Sequence, residues 1–216
     1  MVINLSDTNS LLSEWVREIR DTSVQIDRMR FRRNMERIGE IIAYEISKLL
    51  PYDEITVQTP MGEAVCVQQT RQPVLATILR AGVPLHQGLL NYFDKADNAF
   101  VAAYRKHNRD GSFEIEQHYV TCPDIQDRPL IIADPMLATG ASLVLAIEAL
   151  KTHGTPSQIH VVNAIACSVG IDLLARRFPE VHIWAGAIDD EITARGYIVP
   201  GLGDAGDLSY GNKIQS

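Results

Sequence analysis

Leu130-Ile131-Ile132-Ala133-Asp134-Pro135-Met136-Leu137-Ala138-Thr139-Gly140-Ala141-Ser142 is the stretch on which the reading of this chain turns. An apolar run ends at an acid, and a loop of small and hydroxyl residues follows. Leu143 to Leu150 then reads as a helix. Strand, small-residue loop, helix is how a sheet protein builds a phosphate site. Amides at a helix start lack intrahelical partners and sit at the positive end of the dipole. Small side chains let the backbone approach an anion, and Thr139 and Ser142 add hydroxyl donors. A β-branched residue at Gly140 would occupy the anion's place. The loop has neither the Lys of a nucleoside-triphosphate P-loop nor G-x-G-x-x-G, so a different phosphate ligand is indicated. Alone, it also fits an ordinary βα turn capped by Thr139.

Outward from this loop, the second half of the chain alternates. Strand 130–133, helix 141–152, strand 159–166, helix 170–178 and strand 181–188 follow in turn. That pattern means βαβ units and a parallel sheet with helices on both faces. Upstream, Leu11, Leu12, Trp15, Val16 and Ile19 share one helix face. A longer amphipathic helix carries Met35, Ile38, Ile42, Ile46 and Leu49, and Pro51 ends it. Arg28 to Arg37, in its first half, reads either as a solvated face or as an anion or subunit contact. Ile55–Thr59 and Ala64–Gln68 form a hairpin around Pro60-Met61-Gly62. Val74–Leu79 is a buried strand, Pro84–Phe93 a helix and Ala99–Ala103 a strand. Asn108-Arg109-Asp110-Gly111 is a turn before strand Phe113–Val120, so 101–120 reads as a protruding flap. Ligands of such sheets gather beyond the carboxyl ends of the strands. Arg80, Arg105, Asp134 and Asp189 each follow a strand and are expected to share one edge. Arg80 is followed by Ala81-Gly82, a poor place for a structural ion pair.

A second informative segment is Gly196-Tyr197-Ile198-Val199-Pro200-Gly201-Leu202-Gly203-Asp204-Ala205-Gly206-Asp207. Four glycines, a proline and two acids in twelve residues exclude a helix or a central strand. Such a loop suits close approach of main chain to a ligand.

Four segments, in order, carry a family resemblance. Ile78-Leu79-Arg80-Ala81-Gly82, Tyr104-Arg105, Asp134 to Gly140 and Gly196 to Asp207 resemble the pyrophosphate-side loop, the Tyr-Arg pair, the ribose-phosphate loop and the base loop of uracil phosphoribosyltransferases. The segment from Asp21 to Glu45 resembles that family's opening helix. The likeness covers nearly the whole chain and implies an α/β type I phosphoribosyltransferase fold in a single domain, with N-terminal helices and a β-hairpin flap. It implies transfer of ribosyl 5-phosphate from 5-phospho-α-D-ribose 1-diphosphate (PRPP) to N1 of uracil, giving UMP and pyrophosphate in pyrimidine salvage. It carries PRPP binding onto Arg80, Arg105, Asp134, Pro135, Met136, Leu137, Ala138, Thr139, Gly140, Ala141, Ser142 and Asp204. Uracil falls to main-chain groups of Ile198, Gly203 and Ala205, with Asp204 among them. Arg80, Arg105 and Asp204 are the catalytic candidates. Mg²⁺ is expected to arrive mainly on the diphosphate, with few protein carboxylates, and no protein metal site is expected. The chain departs from the family at Ala141, which stands for a second Gly, and at Leu208-Ser209-Tyr210-Gly211, where a basic residue and Phe are common. The flap, Lys106 to Gly111, lacks the usual acidic run.

Composition narrows the rest. The 216 residues, 46% apolar, suffice for one sizeable domain. The net charge of −7 argues against nucleic acid and anionic membranes as partners, and against a PRPP-fold regulatory protein that binds uridine nucleotides and RNA. A phosphoribosyltransferase for another base, such as a purine, fits the base loop poorly. No apolar run is long enough to span a bilayer, and no signal peptide is visible. Cys66, Cys122 and Cys167 fit free thiols in a reducing cytoplasm. A homo-oligomer, dimer or tetramer, is expected. His86 reads as structural. Lys106-His107 reads as exposed charge or a diphosphate contact, and Asp189-Asp190-Glu191 as a solvated loop rather than a metal site.

Overall fold

The strand–helix alternation read from residue 130 onward is present in the computed structural model, which describes residues 1–107 and 113–213, with the side chains of 103–118 left aside. In chain order the first half contains β1 (Val2–Asn4), α1 (Leu11–Arg20), α2 (Arg28–Ser47), β2 (Tyr52–Thr59), β3 (Gly62–Gln69), β4 (Val74–Leu79), α3 (Val83–Tyr92), β5 (Asp97–His107) and β6 (Phe113–Thr121). The second half contains β7 (Pro129–Ala133), β8 (Met136–Leu137), α4 (Ala141–Leu150), β9 (Gln158–Cys167), α5 (Ser168–Arg177), β10 (His182–Asp189), β11 (Glu191–Ile192), β12 (Ile198–Val199) and α6 (Ala205–Tyr210).

The main sheet runs β1-β10-β9-β7-β4-β5-β6, with β8 pairing β9. All pairs are parallel except β5–β6, which is antiparallel and gives the expected hairpin. Strand β4 alternates cleanly: Leu75 joins the core under α1, α2 and α3, while Val74, Ala76 and Ile78 join the core under α4 and α5. Both faces are therefore covered, as near-continuous apolar strands require.

The strand order locates the ligand edge. From β4 the chain crosses through α3 to β5 on one side, and from β7 it crosses through α4 to β9 on the other. The connections diverge between β4 and β7, and a crevice opens at such a switch point beyond the carboxyl ends. Arg80 and Asp134 are the residues that follow those two ends.

Several expectations shift in detail. Helix 141–152 stops at Leu150 and passes into a 3-10 turn, Lys151–His153. Segment 196–207 is not helix-free: Ile198–Val199 pairs with Glu191–Ile192 at the periphery, and α6 opens at Ala205. The glycines there do not prevent a helix because Asp204 caps it, its side chain accepting from Asp207 N. Strand β1 has no signal in its three residues; pairing with β10 creates it. The turn at 108–111 lies outside the described residues.

Candidate functional site

The phosphate loop hangs from β7. Asp134 N donates to Val162 O at 3.0 Å, and Pro135 O accepts from Ala164 N and Ile165 N, each at 3.0 Å. Asn163 Nδ2 donates to Asp134 O. These bonds tie the start of the loop to β9, and Met136–Leu137 continues as β8 against Ile165 and Ala166. Within the segment expected to bind PRPP, Asp134 to Ser142, some groups are already engaged by the fold. The Pro135 carbonyl is spent on β9, and the Leu137 side chain is fully buried in the core. The turn after it, 138–142, is the candidate for the anion.

That turn has the geometry an anion needs. Gly140 precedes α4 at φ +84° and, as its N-cap residue, has no side chain with which to cap the helix. The first intrahelical bond runs from Val144 N to Gly140 O at 3.0 Å, so the amides of Ser142 and Leu143 precede the ladder. Thr139 Oγ1 accepts from Ala141 N at 3.4 Å. Ala141, which stands for the family's second Gly, is the first residue of α4, where a methyl is compatible with helical backbone.

A side chain at Gly140 points elsewhere than expected. A Cβ there would lie 3.1 Å from Gly170 O and 3.4 Å from Leu173 Cδ2, toward α5. Gly140→Val is expected to abolish phosphate binding through the left-handed φ, which a β-branched residue resists, rather than by filling the anion's place. Titration calorimetry with PRPP checks this. Retained affinity in a folded variant would remove the turn from the site.

Arg80 sits at the end of β4, after a cis Leu79–Arg80 peptide. Its Nη2 donates to Asp207 Oδ1 at 3.0 Å and to Gly211 O at 2.9 Å. The expectation that this position is a poor place for an ion pair is wrong. The partner comes from α6, remote in sequence, so no local pattern announces it. The same loop touches both other segments. A Cβ on Gly82 would lie 2.7 Å from Ala133 O, and one on Gly206 would lie 3.7 Å from Ala81 Cβ and 3.9 Å from Arg80 Nε. The Arg80 loop therefore bridges the end of β7 and the base loop. Arg105 lies in β5, paired with Ile115, and its side chain is outside those described, as are those of Lys106 and His107.

In the base loop, Ile198 and Ala205 are buried, while Gly203, at φ +96°, has open space where a Cβ would go. Asp204 Oδ1 accepts from Asp207 N at 3.0 Å and Oδ2 from Lys213 Nζ at 3.1 Å. Burial pushes its pKa up, but the Asp207 amide, Lys213 and the Gly206 amide outweigh that and hold it below the ordinary carboxylate value. Asp204 is therefore ionised at neutral pH.

Asp189 is not a solvated residue. It closes β10, is buried, and pairs with Arg20 at 2.8 and 2.9 Å. His86 is structural as expected: buried, its Nε2 lies 2.8 Å from Asn98 Oδ1 and burial lowers its pKa. The Arg28–Arg37 stretch resolves into specific bonds. Arg30 pairs with Glu18, Arg33 with Glu36, and Arg32 donates to Ser209 O at 2.7 Å, docking α6 on α2. Sequence reasoning missed Asn163 and Arg20. The signal for Asn163 was a fully buried amide inside the apolar run Val161 to Ile165; Arg20 had none, since it looks like any basic residue in a last helical turn.

Comparison with known proteins accords with this geometry. Residues 6–212 match the family model described as uracil phosphoribosyltransferase. A uracil phosphoribosyltransferase of Porphyromonas gingivalis is 53% identical over 214 residues, 99% of each chain. One from Pyrococcus furiosus is 37% identical over 207 residues, 94% of this chain and 88% of the relative. Among solved structures, the AQ2163 protein of Aquifex aeolicus superposes with a TM-score of 0.87 at 29% identity, covering all of both chains.

Proposed function

Since this chain belongs to the uracil phosphoribosyltransferase family, we propose that it carries out the transfer named for its relatives: PRPP and uracil to UMP and pyrophosphate. The observation that carries the assignment of roles is the Arg80 loop, which touches the end of β7 on one side and the base loop on the other. The C1–diphosphate bond breaks as N1 of uracil bonds to C1, and the N1 proton is lost.

The amides and hydroxyls of the 138–142 turn hold the 5-phosphate. Asp134 accepts from the ribose hydroxyls. Arg80 and Arg105 neutralise the diphosphate as it leaves, a task suited to charge-assisted Arg–phosphate bonds. The transition state gathers positive charge on the sugar and negative charge on the leaving group, so positioning and electrostatics carry the rate. Main-chain groups of Ile198, Gly203 and Ala205 read O2, N3–H and O4. Cytosine reverses two of those hydrogen-bonding groups and leaves buried partners unmatched.

Mg²⁺ enters as part of the substrate, Mg–PRPP. No group of three acidic, His or Cys side chains able to hold a metal occurs among the described residues. A charged Asp204 suits a contact through metal-bound water. The β2–β3 hairpin supports a homo-oligomer. It forms its own two-stranded sheet with Met61, Val65 and Val67 exposed, and an isolated apolar hairpin is marginal in water. Cys66, Cys122 and Cys167 are all free thiols, which supports a reducing, cytoplasmic setting. No helix among the described residues is long and apolar enough to cross a membrane.

Pyrophosphate release from PRPP and Mg²⁺ with uracil, and not with cytosine or a purine, tests the reading. Release with a purine alone would overturn it. Ribose 5-phosphate without metal is expected to slow amide exchange in 138–143, because those N–H groups are its ligands. Protection confined to another segment would show the loop to be misassigned.

A further inference from the structure

We propose that Arg20 and Asp189 form a clamp that sets the base-reading loop and so governs uracil affinity and the rejection of cytosine. The proposal rests on the reading that Ile198, Gly203 and Ala205 hold the base. One ion pair takes both polar groups of a single loop residue. Asp189 Oδ2 accepts from Gly201 N at 2.9 Å, and Arg20 Nη1 donates to Gly201 O at 3.0 Å. The two side chains close on each other in a fork, Nη1 to Oδ2 at 2.8 Å and Nη2 to Oδ1 at 2.9 Å. Their side chains are 22% and 8% exposed, so water competes little for these bonds.

The clamp sits where the loop most needs an external hold. Gly201 lies between Ile198 and Gly203, at φ +56°, and a Cβ on it would come within 2.2 Å of Ile198 O. The turn thus folds back on the first base-reading residue just before the chain reaches the second. With glycines at 196, 201, 203 and 206, the segment has few side chains of its own to fix its shape. The clamp's two arms come from firm supports: Arg20 is the last residue of α1, and Asp189 the last of β10. They fix the spacing between Ile198 on one side and Gly203–Ala205 on the other. That spacing determines whether three hydrogen bonds to uracil are made at once, and small misplacements of such groups are costly. Arg20 and Asp189 are positioning residues, acting on the base through Gly201 and not on PRPP.

Steady-state kinetics of the full chain, with wild type, Asp189→Asn and Arg20→Lys, test the idea. Asp189→Asn removes the charge at constant size. Arg20→Lys keeps the charge but lacks the fork. In both, KM for uracil is expected to rise at least about 10-fold, as for a lost charge-assisted hydrogen bond. KM for PRPP is expected to stay within about twofold, and the preference for uracil over cytosine in kcat/KM to fall. Arg20→Met should be worse than Arg20→Lys, since lysine restores part of the bond; if Arg20→Met does not fold, the two conservative variants decide. Equal rises in both KM values, or a lowered melting temperature with uracil KM and base preference unchanged, would overturn the clamp. A wild-type chain that releases no pyrophosphate with uracil would instead overturn the functional reading.

Discussion

Arg80→Ala is expected to lower turnover about 30- to 900-fold while leaving the chain folded, equivalent to about 2–4 kcal/mol of lost transition-state stabilisation. The side chain has two ties in the absence of substrate, Asp207 Oδ1 and Gly211 O. Those ties set how much of the effect belongs to stability. The ion-pairing side chains are 41% and 30% exposed, and pairs this open to water contribute roughly 0.2–1 kcal/mol. The catalytic loss should therefore exceed the folding loss. Asp207→Asn removes the charge of the same pair and leaves Arg80 bonded to Gly211 O, so its melting temperature reports the ion-pair share of the structural loss. A drop in melting temperature for Arg80→Ala that exceeds that of Asp207→Asn by no more than the lost Gly211 bond, with turnover far lower than in Asp207→Asn, places Arg80 on the diphosphate. Near wild-type turnover in folded Arg80→Ala would take it out of the site.

The fold was legible because its signals are local and periodic. The run from Leu130 to Ala133 has to be a buried strand, and Gly140 followed by Ala141 to Leu150 has to turn into a helix. Strand–helix alternation then leaves few topologies. The placing of the candidate site was legible in outline for the same reason, since Arg80 and Asp134 follow strand ends and parallel sheets put strand ends together. What stayed hidden depends on pairing across the chain. Arg80 meets Asp207, 127 positions away, and Arg20 meets Asp189, 169 positions away. An acid at the end of β10 looks solvated until Arg20, at the end of α1, is in place beside it. The helix start at Ala205 was obscured by glycine content, although Asp204 three residues before Asp207 is a capping signal. The side-chain direction at Gly140 is set by a left-handed φ, which sequence alone does not disclose.

Asp204→Asn is expected to cut turnover at least about 10²-fold, a lower value for the loss of a catalytic group. The substitution separates charge from shape. Asparagine is as good a helix N-cap as aspartate, so the bond from Asp207 N and the start of α6 should survive. What is lost is the carboxylate charge and its pair with Lys213. Asp204 has two conceivable tasks, holding metal-bound water on PRPP or accepting the N1 proton of uracil. Burial favours its neutral form, but the Asp207 amide, Lys213 and the Gly206 amide prevail and depress its pKa. A depressed carboxylate is a weak proton acceptor at neutral pH and a durable negative charge, which favours the metal-water task. The sign has a second consequence. The stability this group contributes is present above the ordinary carboxylate range and is lost as pH falls through the lowered value; the Asn variant should lack that part of the acid sensitivity. Partial rescue by raised Mg²⁺ would identify the metal-water task. Disappearance of the acid limb of the pH–rate profile, without Mg²⁺ rescue, would identify proton acceptance. Normal turnover and normal Mg²⁺ dependence in the folded variant would sink both, leaving Asp204 as the cap of α6 and the catalytic burden on Arg80, Arg105 and the phosphate turn.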